Sequence, residues 1–343
     1  MPNAYISGTG FYVPPRVVTN DDLVNVHGVD TTHEWIVQRT GIEARRFADE
    51  GVGSSDLAVF AAKAALERAK LTPHDLDMIV FATLSPDFCF PGSGVLLQQK
   101  LGLCDGASPK FVPALDVRNQ CSGFLYGLHS ATAMVKSGMA KHVLLVGAET
   151  HSAALDLSAR GRTVASLFGD GAGAAIVSAT DEDRGIRGAW LGADGRFAET
   201  LAQKVWDIRK RPFIPVDANG IGQVEPEMMF AQMEGKIVFK HAVEKMCLAV
   251  MQSCWELKID PKEIDLFFFH QANMRINQYV AKTLGLPEEK LCHNIQRYGN
   301  TTAATIPILL AEAEQEGRLK RGMKVAMVAF GSGFTWGSAI ADW

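Results

Sequence analysis

The chain carries the same outline twice. LTPHDLDMIVFATLS (71–85) returns position for position as IDPKEIDLFFFHQAN (259–273), with Pro73 matched by Pro261, Asp77 by Asp265 and Phe81 by Phe269. Each copy follows a helix-like segment, DLAVFAAKAALERAK and AVEKMCLAVMQSCWELK, and each runs into a short apolar stretch of the kind a buried strand needs. Two further pairs keep the order: KHVLLVGAE (141–149) with MKVAMVAFGSG (323–333), and GAGAAIVSA (171–179) with TWGSAIADW (335–343). The spacing between partners drifts only by loop-sized amounts. Three matches in one order imply a duplicated α/β unit, with halves at 1–178 and 179–343. Short strands alternating with helices favour mainly parallel sheets covered by helices on both faces. Ligands of such sheets gather at the carboxyl ends of strands, so a cleft between the halves is the expected site. Three polar loops could meet there: those after FVPALDV and DLFFF, and HNIQRYGN.

Composition narrows the chemistry. A net charge of −4 makes nucleic acid a poor partner. Apolar runs such as MIVFATL and KVAMVAF are strand-sized, so no membrane span is expected. The start, MPNAYISGTGFYVPP, lacks the basic and apolar regions of a signal peptide. Six cysteines are scattered with no C-x-x-C pair and no zinc spacing, which fits reduced thiols and a cytoplasmic location. Each cysteine therefore needs its own reading.

Cys121, in DVRNQCSGFLYGL, stands where an apolar strand runs into an apolar helix that the pattern carries to Gly138. A free cysteine packs well as a small hydrophobe. At the opening of a helix, however, the N-terminal partial charge and free N–H groups favour thiolate and can hold an oxyanion. His270 follows three phenylalanines and opens the polar burst HQAN, where the first copy has nothing comparable. It reads either as a hydrogen-bonded core histidine or as the specialised end of one copy. Asn300, before TTAATIPILL, reads as an N-cap or a functional amide. GDGAG (169–173) lacks the features of a P-loop or dinucleotide fingerprint and reads as a tight structural turn.

With these residues in place, HEWIVQRTGI, LFGDGAGAA, HQANMRI, RYGNTTAATIP and FGSGFTWGSA follow in the order of one family. The chain resembles, over essentially its whole length, the β-ketoacyl-acyl carrier protein synthase III (FabH) family of the thiolase superfamily. The resemblance implies a thiolase-like fold, two duplicated halves in a layered αβαβα structure. It implies that Cys121 takes an acyl group from a coenzyme A thioester. His270 and Asn300 would then stabilise the enolate formed when a malonyl thioester, carried on acyl carrier protein, loses carbon dioxide. The carbanion would attack the Cys121 thioester to give a 3-oxoacyl product. Chemically this needs two neutral donors, an imidazole Nε2–H and an amide N–H, and an imidazole near its ordinary pKa of roughly 6.5 supplies one. Covalent catalysis of this type predicts ping-pong kinetics and needs no cofactor.

The resemblance assigns further positions. Trp35 and Arg39 match contacts to coenzyme A, as does one of Arg160 and Arg162, whose spacing does not decide between them. Phe239 matches a channel-lining residue. Phe90 matches a residue that reaches a partner subunit's acyl pocket, in a homodimer. Lys240 and Arg275 match a basic patch for the acidic carrier protein, with ordinary solvated charge as the alternative. The backbone N–H groups of Cys121 and Ser332 match the oxyanion hole.

Four stretches depart from the housekeeping members. Ser332 replaces the usual glycine, and serine tolerates left-handed backbone less well. The segment at about 196–232 is extended and rich in Arg, Lys, Pro and Gly, and reads as a surface loop near the substrate entrance. SPDFCFPGS and DVRNQC are also unusual. All four bear on which acyl groups fit. They leave open a ketosynthase or acyltransferase of specialised, polyketide-type metabolism. A non-catalytic acyl-CoA- or carrier-binding subunit is a third alternative, opposed by the intact Cys121, His270 and Asn300.

Overall fold

In this computed structural model the repeated stretch builds the same local devices in both places. The structure describes residues 2–343 apart from 206, 211–213, 215, 220–221 and 223. Helices Ser54–Ala69 and Gly235–Leu257 each stop on a left-handed lysine, Lys70 (φ 57°) and Lys258 (φ 56°). A proline then opens a single 3-10 turn, Pro73–Asp75 or Pro261–Glu263, closed by an acidic capping box. The next aspartate pins a neighbouring strand. Asp77 Oδ2 accepts from the backbone N–H of Lys141 and His142 at 2.7 and 2.9 Å, and Asp265 Oδ2 from Lys324 N–H at 2.7 Å.

The strands, in chain order among the described residues, are β1 Asn3–Tyr12, β2 Val17–Thr19, β3 Ala44–Arg46, β4 Met78–Ala82, β5 Ala114–Val117, β6 His142–Glu149, β7 Gly171–Thr180, β8 Gly185–Ala193, β9 Leu201–Ala202, β10 Gln232–Met233, β11 Leu266–Phe269, β12 Lys324–Gly331 and β13 Thr335–Asp342. One sheet has the order β1-β7-β6-β4-β5 and the other β11-β12-β13-β8. Read from opposite ends they are one pattern. β4 lies parallel to β6 (Ile79 opposite Leu144), as β11 does to β12 (Phe267 opposite Ala326). β7 and β13 then add antiparallel, followed by β1 and β8. β5 has only a remnant counterpart, a single parallel bridge between Phe267 and Leu291.

Unbroken burial along β4, β6, β11 and β12 explains their continuous apolar runs, because each is covered on both faces. The helices Gly123–Lys136 and Thr305–Gln315 form the middle layer. Their Phe124, Leu128, Ile306 and Leu310 share one core with Val80 and Leu145 of the first sheet and Phe268 and Met327 of the second. Ser54–Ala69 covers the outer face of the first sheet, and Gly235–Leu257 that of the second. The result is the layered αβαβα arrangement expected.

Three local expectations shift. The helix after Cys121 starts as a 3-10 turn, Gln120–Ser122, and the α-helix proper is Gly123–Lys136. GDGAG is not a free turn: Gly171 already lies in β7, and Asp170 is a buried carboxylate accepting from Ala48 N–H, Ser152 N–H and Ser152 Oγ–H. In the 196–232 segment, β9 pairs with β10 and a short helix spans Pro226–Met229, while the eight positions named above lie outside the described residues.

Candidate active site

A cavity of about 650 Å³ lies at the end of β12, and Cys121, His270 and Asn300 all line it. Each arrives at the end of a strand or in a tight turn. Cys121 follows β5 on the 3-10 turn, directly after Gln120, whose φ of +46° is rare for a residue with a side chain. The end of β12 presses against it. A Cβ on Gly331 would sit 2.9 Å from Cys121 Cβ and 3.1 Å from Cys121 N, so only glycine fits there without displacement.

The backbone N–H groups of Cys121 and Ser332 both act on the Cys121 sulfur and favour its thiolate. They are outweighed. Burial, and then the nearby Glu149 carboxylate, push the thiol up to about 12. The expectation that the helix start lowers this thiol's pKa is therefore corrected: its donors act in that direction, but burial and Glu149 outweigh them. Ser332 itself carries no backbone penalty, since the positive φ (127°) belongs to Gly333. The concern about serine at this position falls away.

His270 sits at the carboxyl end of β11, its backbone N–H bonded to Val328 O at 2.8 Å. Only 2% of the residue is exposed. Nδ1 lies 2.6 Å from Thr305 Oγ1, while Nε2 is buried without a partner. Burial alone pushes the imidazole down to about 3, well below the ordinary value that the sequence suggested, so the ring is neutral in the empty cavity.

Asn300 accepts the N–H of Thr302 on Oδ1 at 2.8 Å. This is an Asx turn two residues on, and it corrects the N-cap expectation: the cap positions are Thr301 for the 3-10 turn Thr302–Ala304 and Ala304 for the α-helix that follows, neither with a side-chain capping bond. The same bond fixes the amide's oxygen and offers its NH2 to the cavity. Thr302 has φ +49°, a strained value for a β-branched residue, and its Oγ1 lies 2.5 Å from His151 Nε2.

At the mouth, Arg39 and Arg162 stand over the Trp35 ring at 4.7 and 5.1 Å. The two later arginines differ in their surroundings. Neither lines the cavity: Arg162 stands over Trp35 and pairs with Asp30 at 3.7 Å, whereas Arg160 is bonded to buried Asp156 at 2.7 Å. Phe239 and Arg275 line the cavity, with the guanidinium 5.8 Å from the ring. Lys240 is exposed beside Phe239. Leu201 and Met233, at the base of the 196–232 segment, also line the cavity. Phe90 does not. It is 84% exposed on the loop after β4.

Nothing in the local pattern pointed to Thr305, Glu149 or His151. Thr305 opens an apolar helical run, and nothing local pairs it with His270. Glu149 ends β6 and is fully buried, accepting from Thr83, Leu84, Ser85 and Ala303. Gly331 was visible within FGSGF, but its contact with Cys121 was not. Among the described residues no group of three or more His, Cys, Asp or Glu side chains is placed to hold a metal ion.

Comparison with known proteins agrees with this geometry. The family 3-Oxoacyl-[acyl-carrier-protein (ACP)] synthase III matches residues 115–195, and its C-terminal counterpart matches 254–343. The chain is 42% identical over 340 residues to a β-ketoacyl-[acyl-carrier-protein] synthase III of Caldanaerobacter subterraneus subsp. tengcongensis, covering 99% of this chain and 98% of that one. The crystal structure of 3-oxoacyl-[acyl-carrier-protein] synthase III from Aquifex aeolicus superposes with a TM-score of 0.86 at 40% identity, covering 99% and 100% of the two chains. The priming β-ketosynthase of the R1128 polyketide biosynthetic pathway gives 0.86 at 30% identity, covering 99% and 96%. The chain belongs to the β-ketoacyl-acyl carrier protein synthase III family of thiolase-fold condensing enzymes.

Proposed function

We propose that the chain joins an acyl group from coenzyme A to a malonyl unit on acyl carrier protein by decarboxylative Claisen condensation. The observation that carries this is one buried cavity holding Cys121, the unpartnered Nε2 of His270 and the oriented amide of Asn300. In the first half-reaction the Cys121 proton moves to His270 Nε2 in concert with attack of the sulfur, because values of about 12 and about 3 disfavour a standing thiolate–imidazolium pair. The sulfur bonds to the acyl carbon, the carbon–sulfur bond to coenzyme A breaks, and the departing sulfur takes the proton from Nε2. The backbone N–H groups of Cys121 and Ser332 hold the carbonyl oxygen.

In the second half-reaction the anionic malonyl group brings a negative charge into the cavity, which favours uptake of a proton from water by Nε2. Carbon dioxide leaves. His270 Nε2–H and Asn300 Nδ2–H hold the enolate oxygen while its carbon attacks the Cys121 thioester. The released Cys121 thiolate recovers its proton from Nε2. One proton is consumed for each carbon dioxide released, as the net reaction requires.

Arg39, Arg162 and Trp35 suit the phosphates and base of coenzyme A. Lys240 and Arg275, exposed near the mouth, suit an acidic carrier protein. The edge strand β5 with its exposed Leu115, together with exposed Phe88, Phe90 and Phe111 in the chain before it, suits pairing with a second copy, bringing Phe90 to the partner's cavity. No described helix is long and apolar enough to cross a membrane, and a cytoplasmic location is part of this reading.

The test is intact-protein mass spectrometry after incubation with acyl-CoAs from acetyl to long chain, with Cys121→Ser alongside. A mass gain with acetyl-CoA that the variant lacks supports chain initiation. The likeness to a polyketide priming enzyme and the extended 196–232 segment favour a second reading, loading of a longer or unusual acyl group. A gain restricted to such groups would establish it. No gain with any acyl-CoA would sink both.

A further inference from the structure

We propose that Thr305 is a positioning residue that keeps a proton on His270 Nδ1 and so presents Nε2 to the cavity as a proton acceptor. The inference rests on the reading of His270 above. Thr305 Oγ1 has two polar neighbours, His270 Nδ1 at 2.6 Å and Thr302 O at 3.1 Å. It has one hydrogen to give. A carbonyl oxygen can only accept, so the contact with Thr302 is a hydrogen bond only if Thr305 donates to it. The lone pairs of Oγ1 then face the ring, and the contact with His270 is a bond only if Nδ1 carries the hydrogen. In the opposite tautomer Thr305 turns its hydrogen to Nδ1 and its lone pairs toward Thr302 O, losing one of the two bonds.

The rest of the surroundings supports that choice. Both side chains are buried, Thr305 and His270 at 2% exposure each, so water does not substitute for the lost bond. Thr302 O is held in place by the N–H of Thr305 as well. The strained Thr302 also fixes the amide of Asn300, so one turn, Thr302–Thr305, orients both cavity groups. His270 Nε2, left without a partner, carries its lone pair into the cavity that Cys121 lines. A hydroxyl does here by neutral hydrogen bonding what a carboxylate does beside the histidine of a protease triad. It sets tautomer and direction without placing a second negative charge next to a thiol already raised by Glu149. In the proton transfers described above, the hydrogen on Nδ1 stays in place.

The experiment has two arms. Nitrogen-15 NMR of histidine-labelled protein reads the neutral tautomer directly, and the His270→Gln spectrum identifies the signal among nine histidines. The wild type should show Nδ1–H, Thr305→Ser should keep it, and Thr305→Val should shift the ring toward Nε2–H or a mixture. The second arm times Cys121 acylation. Thr305→Val should be slower by roughly 10- to 100-fold, with most of the rate restored in Thr305→Ser. An Nε2–H ring in the wild type overturns the proposal without reference to any variant's folding. So does a Thr305→Val enzyme with the wild-type tautomer and rate. If no acyl-CoA loads Cys121, the condensing function fails, while the tautomer arm still decides the role of Thr305.

Discussion

β4 and β11 begin alike and end differently. Both follow a left-handed lysine, a proline-started turn and an aspartate that pins the next strand. At the far end, Ala82 in the first half stands where His270 stands in the second. The neighbouring strands diverge in the same way. β6 ends on Glu149, a buried carboxylate that ties down residues 83–85 and Ala303. β12 ends on Gly331, which clears the space against Cys121. In the proposed reaction the first half supplies the nucleophile and a frame beside it. The second supplies the groups that act on the nucleophile and the room for them. Duplication preserved the scaffold because its capping and pinning bonds are needed twice, and the chemistry is written where those bonds stop.

The comparison is broken most severely by truncating the second half's groups. Asn300→Ala should leave Cys121 acylation nearly intact and lower carbon dioxide release from malonyl substrate by about 10²–10³-fold, the usual effect of losing one oxyanion donor. His270→Ala should lose both steps, because the Cys121 thiol at about 12 has no other base in the cavity wall described here. Labelled carbon dioxide and intact mass, followed in parallel, separate the two. A His270→Ala enzyme that still acylates at the wild-type rate would show that backbone donors suffice.

A smaller effect is expected at Gly331. Its Cβ position is 2.9 Å from Cys121 Cβ, so Gly331→Ala must displace the nucleophile or the end of β12. A misplacement near 1 Å costs about 100-fold. Acylation should fall by that order while the thermal midpoint drops only modestly, since the cavity gives the strand end room to shift. Unchanged acylation would mean that the close approach of β12 is packing without consequence for the sulfur.

Much of this was legible because repetition exposes what a single motif hides. The PHDLD and PKEID turns announced the strands, and the contrast between their ends pointed to His270. Asn300 read as an N-cap, but its side chain instead closes an Asx turn onto Thr302, ahead of the cap positions Thr301 and Ala304. What stayed hidden depends on contacts between distant segments. The acidity of Cys121 depends on burial and on Glu149, which lies on another strand. The difference between Arg160 and Arg162 rests on a bond to Asp156 and a ring at Trp35. Thr305 is an ordinary helix opener until the fold places it under an imidazole. Local pattern sets the elements, while pKa values and tautomers belong to neighbours that no periodicity names.

Glu149 gives the subtlest test of the division between the halves. Burial raises its carboxyl to about 7, from an ordinary value of 4.5, despite five donors. His151 is 3.9 Å away but is itself pushed down to about 3, so it supplies no positive charge to pair with the carboxylate. A folded-state value above the unfolded one means that the group's contribution to stability is complete below about 4.5. That contribution is lost as the pH rises through about 7. The size of the shift corresponds to about 3 kcal/mol. Glu149→Gln cannot ionise, so the wild type should lose more thermal stability between pH 5 and pH 8 than the variant does. Comparing the two cancels other buried carboxyls, Asp170 among them, whose values also rise. The same substitution removes one of the two causes that raise Cys121, so thiolate should form at lower pH, read by its ultraviolet absorbance against a Cys121→Ser background. Equal pH slopes for wild type and variant would mean that Glu149 keeps an ordinary acidity, and that burial alone holds the thiol protonated. The frame supplied by the first half would then be electrostatically silent toward the site it supports.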